Sequence, residues 1–184
     1  MDTDTVKAAG SHDVLLNKFK NEKIPIMVGT QMVTKGLNLE NVTLIGVVSA
    51  DQSLYCGDYR SGERTFSLIT QVIGRSGRGS KPGRAIIQTF TPQNEIIRLA
   101  AQQDYEGFFK TELSLRRLQD TPPFADIIAI TASGTVESAV IKCCTDICTV
   151  VKAELRDRSD VRILGPAPLA VVRVNNRYRY RVNI

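Results

Sequence analysis

The chain has 184 residues, of which 42% are apolar and 23% are charged, a composition typical of an ordinary globular protein with one large or two small domains. No apolar run approaches the roughly 18 residues that a membrane span needs, so we expect no membrane association. The polar, acidic start at residues 1–5 also argues against a signal peptide.

The cysteine and histidine content restricts the possible chemistry. The four cysteines are Cys56, Cys143, Cys144 and Cys148; they form no C-x-x-C pair, and the chain has a single histidine. This pattern argues against a zinc site and against a Ser-His or Cys-His catalytic centre. Three of the cysteines fall in one predicted helix, which favours free thiols in a reducing cytoplasm over disulfides. We therefore predict no metal ligand in this chain and a cytoplasmic location.

The first half of the chain shows an alternation of apolar runs and helical periodicity. Helices are predicted at residues 11–20 and 61–72, capped by Ser11 and Ser61, and a short helical turn at 30–35. Buried strands are predicted at residues 24–28, 42–48 and 84–90, with a loop at 52–60. Near-continuous apolar strands separated by helices are typical of a parallel sheet covered by helices, and ligands on such sheets collect at the carboxyl ends of the strands.

The second half has a different pattern, and we predict an α+β domain there. Helical periodicity runs over 94–119, with a break expected at Gly107, and the proline pair at 122–123 ends it. The predicted elements that follow are a strand at 127–132, a helix at 135–157, a strand at 161–164, a rigid turn at 165–168, and a hairpin of strands 169–174 and 177–184. The predicted domains are 1–92, a helical connector at 93–121, and 122–184.

The most distinctive stretch begins at Gln71 and has the sequence QVIGRSGR. On a helix, Gln71, Arg75 and Arg78 would line one face. Gly74 and Gly77 would let a bulky anion approach the backbone. Guanidinium groups bind phosphate oxygens through paired, charge-assisted hydrogen bonds. We therefore predict a phosphate clamp, with a solvated Gly-Arg surface turn as the alternative.

The formal net charge of +5 is carried entirely by residues 161–184, which hold five arginines and no acid. In the last predicted strand Arg177, Arg179 and Arg181 point to one face, and the tyrosines between them point to the other. Three like charges at alternate positions repel one another unless an anion compensates them. A solvated outer face, nucleic-acid phosphate and an acidic protein tail all remain possible partners for this arginine ladder.

Four stretches together point to a known family. They are residues 1–5 (MDTDT), 29–36 (GTQMVTKG), 58–78 (DYR through QVIGRSGR), and 164–168 with 177–180 (LGPAP with RYRY). In this order they resemble the carboxyl-terminal portion of the primosomal replication-restart DNA helicases, the PriA (primosomal protein N′) family. The resemblance implies that residues 1–92 are part of the second RecA-like helicase lobe, with motifs V and VI, and that a truncated α+β domain follows.

The resemblance also implies a nucleotide site. Arg75 and Arg78 would be arginine fingers on the γ-phosphate of ATP, with Gln71 and Gly74 close to the nucleotide. ATP and Mg²⁺ would be bound mainly by the first lobe, since this chain has no G-x-x-x-x-G-K-[ST] loop. Zinc would belong to cysteines that precede motif V in the parent protein. The fragment alone is therefore expected not to hydrolyse ATP.

The implied DNA contacts and partners follow from the same motifs. Gly29, Thr30, Gln31 and Lys35 of motif V would touch the backbone of single-stranded DNA. Residues from 122 onward, with the arginine ladder, would bind branched or forked DNA near the docking site of single-strand-binding protein and other primosome proteins. The parent would be a bacterial, cytoplasmic, ATP-dependent 3′→5′ DNA helicase that restarts stalled replication forks. The alternatives are a related superfamily-2 helicase or translocase, and a non-catalytic module that binds DNA or protein.

Overall fold

The computed structural model describes residues 11–22, 24–30, 42–77 and 82–184, and the chain divides into two compact units, Met1–Glu112 and Leu113–Ile184. The helices are α1 (Ser11–Asn21), α2 (Ser61–Ile73), α3 (Glu95–Gln102), α4 (Tyr105–Gln119) and α5 (Glu137–Glu154). The strands are β1 (Leu44–Val47), β2 (Arg84–Ile87), β3 (Ala129–Gly134), β4 (Leu164–Val174) and β5 (Arg177–Asn183). In the described part of the chain, no helix combines the length and the apolar character that crossing a membrane requires. The domain boundaries predicted after residues 92 and 121 stay predictions.

In the first unit, β1 and β2 form a parallel pair, as predicted, with Leu44 opposite Arg84 and Val47 opposite Ile87. The pairing continues beyond the strands, because the N–H of Gln88 donates to the carbonyl of Val47 (2.8 Å). Helix α2 lies between the two strands in the chain. The unit is therefore a strand–helix–strand arrangement, the expected building block of a parallel α/β sheet.

The core of this unit is built on one face of α2. Phe66 and Ile69 are buried, and the ring of Phe66 stacks on that of Phe108 from α4, with the centroids 4.1 Å apart. Val47 and Ile87 of the sheet pack against the same cluster. The three-residue spacing of Phe66 and Ile69 puts both side chains on one helical face, which explains why α2 is an amphipathic helix covering the sheet.

The opposite face of the sheet is exposed. Leu44, Val48 and Ile86 have exposed fractions of 58%, 77% and 55%. These side chains alternate with those that face α2, as the pleat of a strand requires. The predicted burial of these strands is therefore found on the face that α2 covers.

The predicted buried strand at residues 24–28 is wrong. This segment has no regular secondary structure, and Ile26 and Val28 are 75% and 78% exposed. Pro25 lacks an N–H, so the segment has one donor fewer for a sheet ladder. The apolar run therefore gave a false strand signal.

Helices α3 and α4 confirm the predicted break in the long helical segment but not its position. The break lies at Gln103 and Asp104, where Gln103 adopts a left-handed conformation (φ 56°). The carboxylate of Asp104 then accepts the N–H of Gly107 (2.9 Å) and so supports the first turn of α4. Gly107 lies inside α4, where a Cβ would come within 2.9 Å of Leu99, so this glycine permits close packing.

The second unit is an antiparallel sheet with strand order β3–β5–β4 and α5 packed on one face. Val182 of β5 is fully buried against Cys144 and Cys148 of α5, and both cysteines are free thiols, as predicted. The hydroxyl of Tyr180 donates to Glu137 (2.8 Å), and this bond, together with burial, raises the pKa of Tyr180. The side of β5 that carries Tyr180 therefore packs towards α5 and away from the arginines, as predicted.

Strand β4 differs from its prediction. It runs without interruption through residues 165–168, which were predicted as a rigid turn, although its ladder with β5 is irregular there. In the sheet order β4 is an edge strand, and prolines are tolerated at an edge because one side of the strand needs no donors. The predicted hairpin is confirmed: Asn175 and Asn176 both have positive φ (48° and 62°), as a tight two-residue turn requires.

Replacing Phe66 with Ala should lower the free energy of unfolding of the first unit by about 3–5 kcal/mol, because it removes a stacked core ring and leaves a cavity. The matched control is Phe90→Ala, the same substitution at a ring that is 87% exposed, which should change stability by less than about 0.5 kcal/mol. Urea unfolding followed by circular dichroism measures both, since the chain has no tryptophan. Equal losses in the two variants would contradict the core described above.

Candidate functional site

The start of α2 is organised by Asp58. One carboxylate oxygen accepts the N–H of Arg60 (3.1 Å) and the other pairs with the guanidinium of Arg64 (2.8 Å). The backbone carbonyl of Asp58 accepts the N–H of Ser61 (2.9 Å). Ser61, predicted as the N-cap, is the first helical residue, and Arg60 occupies the cap position. These bonds fix the point at which α2 leaves the preceding loop.

The arginine-containing stretch that begins at Gln71 starts in the last turn of α2 and continues past the end of the helix. The helix ends at Ile73, and the chain continues in a tighter turn, in which the N–H of Arg75 donates to Val72 (3.0 Å) and the N–H of Ser76 donates to Ile73 (3.1 Å). These bonds span three residues, as in a 3-10 helix. Gly74 sits at the junction as the helix C-cap. The turn is thus a backbone-bonded structure that follows directly from α2.

The predicted common helical face of Gln71, Arg75 and Arg78 is only partly described. Gln71 lies in the last turn of α2, Arg75 lies in the tighter turn, and both are half-buried. Arg78 lies outside the described residues. The two described side chains therefore belong to different backbone conformations, and the helical-face argument does not extend to Arg75.

Gly77 closes this turn by a close backbone approach. Its φ is +71°, and a Cβ there would come within 2.6 Å of the nitrogen of Gly83. Its N–H donates to the carbonyl of Val42, the residue two positions before β1 (3.2 Å). The turn is therefore held against the amino ends of both strands, and backbone packing accounts for this glycine without an anion.

Residues 74–77, which we call the arginine turn, therefore lie at the amino end of the parallel pair of β1 and β2. The N–H of Arg84 donates to Thr43 (2.8 Å) at the same edge. The general expectation for open parallel sheets places ligands at the carboxyl ends. Arg75 is at the opposite edge, so a ligand that it contacts must approach the sheet from the amino-end side.

The carboxyl end of the sheet is organised by Asp51, a residue for which the sequence pattern predicts no role. Asp51 is 8% exposed and follows β1, in a short 3-10 helix (Ala50–Ser53). Its carboxylate accepts the hydroxyls of Thr89 (2.7 Å) and Thr91 (2.6 Å) and the N–H of Phe90 (2.9 Å). Both oxygens are engaged, so Asp51 ties the segment after β1 to the segment after β2.

These bonds lower the pKa of Asp51 to about 2. The largest cause is the hydrogen bond from Thr91; the bonds from Phe90 and Thr89 act in the same direction, and burial opposes them. The signal in the sequence was an acid after one strand and a Thr-x-Thr after its neighbour. That pattern is too short to be distinguished from an ordinary polar loop without the strand pairing.

The predicted motif V residues are described only in part. Gly29 and Thr30 are exposed and belong to no helix or strand. Gln31 and Lys35 lie outside the described residues, as does the predicted helical turn that would contain them.

The described residues of the arginine turn could form only one side of a nucleotide site. At the arginine turn they supply the guanidinium of Arg75 and the amide of Gln71, groups that can donate to phosphate oxygens. Within the described ranges, no three His, Cys, Asp or Glu side chains gather as the ligands of a metal ion would.

A second basic surface lies on the outer face of the sheet in the second unit, which we call the arginine face (Arg177, Arg179 and Arg181). These arginines alternate along β5 with Tyr178 and Tyr180, which point to the other face of the sheet. The guanidinium of Arg177 donates to the carbonyl of Ser133 (3.0 Å). The ladder partners are small: Ser133 lies opposite Arg179, and Thr131 lies opposite Arg181. No directly opposite residue in this described ladder is acidic, so the arginine charges are not neutralised across the strands.

Comparison with protein families gives two matches that cover most of the chain. Residues 7–80 match the helicase conserved C-terminal domain, and residues 117–184 match the primosomal protein N C-terminal domain. The first match contains α1, β1, α2 and the arginine turn. The second contains β3, α5, β4 and β5. These matches confirm a RecA-like lobe followed by a small, separate domain.

Individual relatives give the same result. A replication restart protein PriA of Synechocystis is 42% identical over 98% of this chain, and one of Bacillus subtilis is 43% identical over the same share. A third, from Chlamydia trachomatis, is 40% identical over 90% of the chain. The chain spans about a fifth of the length of these curated relatives, 22% in each case.

Replacing Asp51 with Asn should destabilise the protein at pH 7, because an amide accepts fewer hydrogen bonds and adds donors that face other donors. The folded-state pKa of Asp51 is below its ordinary value of 3.8, so its contribution to stability is present above pH 4 and is lost as the pH falls towards 2. The difference between the two proteins in unfolding free energy should therefore shrink between pH 4 and 2.

The control is Asp160→Asn. Asp160 also has a pKa of about 2, owing mainly to its bond with Arg158, but this pair is exposed and should contribute little. Unfolding curves at several pH values measure all three proteins. A difference between wild type and Asp51→Asn that stayed constant over this range would show that the carboxylate does not carry the contribution.

Proposed function

The chain belongs to the replication restart protein PriA family, and we propose that it is part of a longer ATP-dependent DNA helicase that moves 3′ to 5′ and restarts stalled replication forks by primosome assembly. The support comes from family membership over both units and from the arginine turn at the end of α2. In this proposal the first unit is part of the second motor lobe. It acts on a nucleotide that another part of the longer protein holds.

The observation on which the nucleotide role rests is the geometry of the arginine turn. Arg75 follows α2 directly, in a turn that Gly77 bonds to Val42 at the amino end of the sheet. A guanidinium held on such a rigid support can meet a phosphate without a large loss of chain entropy. Arg75, with Arg78, would then neutralise charge that builds on the γ-phosphate of ATP, and Gln71 and Gly74 would lie beside the nucleotide.

ATP and its Mg²⁺ supply the phosphoryl group and most of the charge neutralisation in this reaction. The role of this chain is to orient the arginines across the cleft and to exclude water when the lobes close. In comparable sites an arginine finger contributes about 10³- to 10⁵-fold in rate, or about 4–7 kcal/mol of barrier. Zinc, in this proposal, is bound by the longer protein and not by this chain.

The DNA track would use both units. Gly29, Thr30, Gln31 and Lys35 would contact the single-stranded backbone beside the motor. The arginine face of the second unit would contact phosphates of forked or branched DNA. Three guanidinium groups along one strand, with no acidic residue directly opposite them in the described ladder, suit a polyanion better than any neutral ligand.

The proposed partners are single-strand-binding protein and other primosome proteins, and the proposed location is the bacterial cytoplasm. The arginine face also favours a second candidate function, a non-catalytic module that binds DNA or an acidic protein segment. A related superfamily-2 motor acting on another nucleic acid is the third. Unwinding of forked DNA, compared with duplex RNA, separates the DNA motor from an RNA motor.

In the full-length protein, Arg75→Ala and Arg78→Ala should each reduce the rate of DNA-stimulated ATP hydrolysis by about 10³-fold or more while largely sparing DNA binding. Arg75→Lys retains the charge but not the planar fork, and should recover only part of the rate. Steady-state turnover and DNA affinity are measured on the same preparations. Undiminished turnover in both alanine variants would refute the finger assignment, whereas DNA-stimulated hydrolysis by the 184-residue chain alone would refute the expected inactivity of this chain.

Replacing both Arg179 and Arg181 with Gln should weaken DNA binding for all sequences and reduce the slope of log affinity against log salt by about 1 to 2. The matched control is Arg173→Gln on the tyrosine side of the sheet, where the guanidinium lies over the ring of Tyr178 (5.0 Å). Titrations of fluorescently labelled forked DNA at several salt concentrations give both quantities. An unchanged salt slope in the double variant would leave the arginine face without a role in DNA binding.

A further inference from the structure

Gly83, the residue just before β2, lies directly against the arginine turn. A side chain has no room there, because the three heavy atoms nearest to a Cβ on Gly83 all belong to Ser76 and Gly77 of that turn. The carbonyl carbon and the Cβ of Ser76 would be 2.6 and 2.7 Å away, and the backbone nitrogen of Gly77 would be nearest of all. Non-bonded carbon atoms pack at about 3.5–4.0 Å, so even one methyl group would push the turn away from the strand.

The backbone conformation of Gly83 does not by itself require glycine. Positive φ angles are found at other glycines of the described chain, Gly57, Gly77 and Gly165, and Gly83 is not among them. Its conformation is therefore one that residues with a side chain adopt without strain. None of the three nearest atoms comes from β1, the strand that pairs with β2. The missing side chain of Gly83 thus serves the close approach of the arginine turn.

The arginine turn has little freedom to absorb a displacement at Gly83. The N–H of Gly77 donates to the carbonyl of Val42 (3.2 Å), which holds the turn to the segment before β1. The hydroxyl of Ser76 donates to the last carbonyl of α2 (3.0 Å), which holds it to the helix. Arg75 is the residue before Ser76. A shift of the turn forced at Gly83 would therefore move the guanidinium of Arg75 as well.

We propose that Gly83 is a positioning residue for ATP hydrolysis, an inference that rests on the proposed function. By lacking a side chain, Gly83 lets the arginine turn sit against the start of β2 and so sets where Arg75 meets the γ-phosphate. Gly83 itself does not touch the nucleotide, and it lies outside the QVIGRSGR stretch. A misplacement of a reacting group by about 1 Å can cost about 10²-fold in rate.

The test is Gly83→Ala in the full-length protein. The kcat of DNA-stimulated ATP hydrolysis should fall by about 10²-fold, because the arginine turn is displaced. The KM for ATP and the affinity for forked DNA should each change by less than about threefold, because in the proposed function ATP is bound mainly by another part of the protein. The matched control is Gly46→Ala in β1, where a Cβ would meet nothing within 4 Å, and this variant should keep the wild-type kcat.

A double-mutant cycle with Arg75→Ala separates positioning from a general structural role. If Gly83 acts through Arg75, adding Gly83→Ala to the Arg75→Ala variant should lower kcat by no more than about threefold further. A further loss of about 10²-fold would show that the two residues act independently and would overturn the inference. An equal loss of kcat in Gly46→Ala would overturn it too.

The remaining outcomes distinguish the inference from the proposed function. Wild-type kcat in Gly83→Ala, with Arg75→Ala impaired, would overturn the inference and leave the proposed function intact. Loss of the cooperative unfolding transition and of forked-DNA binding in Gly83→Ala would also overturn it, because glycine would then be needed for the fold and not for the chemistry. Wild-type turnover in Arg75→Ala would refute the inference together with the role of Arg75 as a finger.

Discussion

The packing of Phe66 and Ile69 against the sheet and against Phe108 is the contact on which the rest of the first unit depends. It holds α2 over β1 and β2, so the helix spans the sheet from one edge to the other. The chain enters α2 from the loop that follows β1 and leaves it at the amino ends of both strands. The packed position of α2 therefore sets where the arginine turn lies at the amino edge, whereas Asp51 holds the carboxyl edge.

The amino and carboxyl edges of the sheet present different side chains, because different contacts hold the backbone at each edge. At the amino edge, Gly77 and Gly83 pack backbone to backbone and set Arg75 in a tight turn. At the carboxyl edge, buried Asp51 gathers three donors and leaves Phe90 exposed. Strands of four residues separate these edges by roughly 13 Å.

The features predicted correctly from the sequence are those that depend on local pattern. The apolar spacing in α2 and the alternation in β5 repeat over several residues, and the Asn175–Asn176 turn needs only its own two residues to tolerate positive φ. The features that failed depend on partners distant in the chain. Whether the run at 24–28 forms a strand depends on its neighbours, and Gly107 lies inside α4, where a Cβ would meet the side chains of Asp104 and Leu99.

The residues of the candidate site were also predictable only in part. The arginine stretch was recognisable because its residue types are rare in combination, whereas its position at the amino edge follows from the bond between Gly77 and Val42, residues 35 positions apart. Asp51 could not be singled out, since its role exists only when β1 and β2 pair and bring Thr89 and Thr91 to it. A sequence pattern thus identified the chemistry, and the sheet determined where that chemistry points.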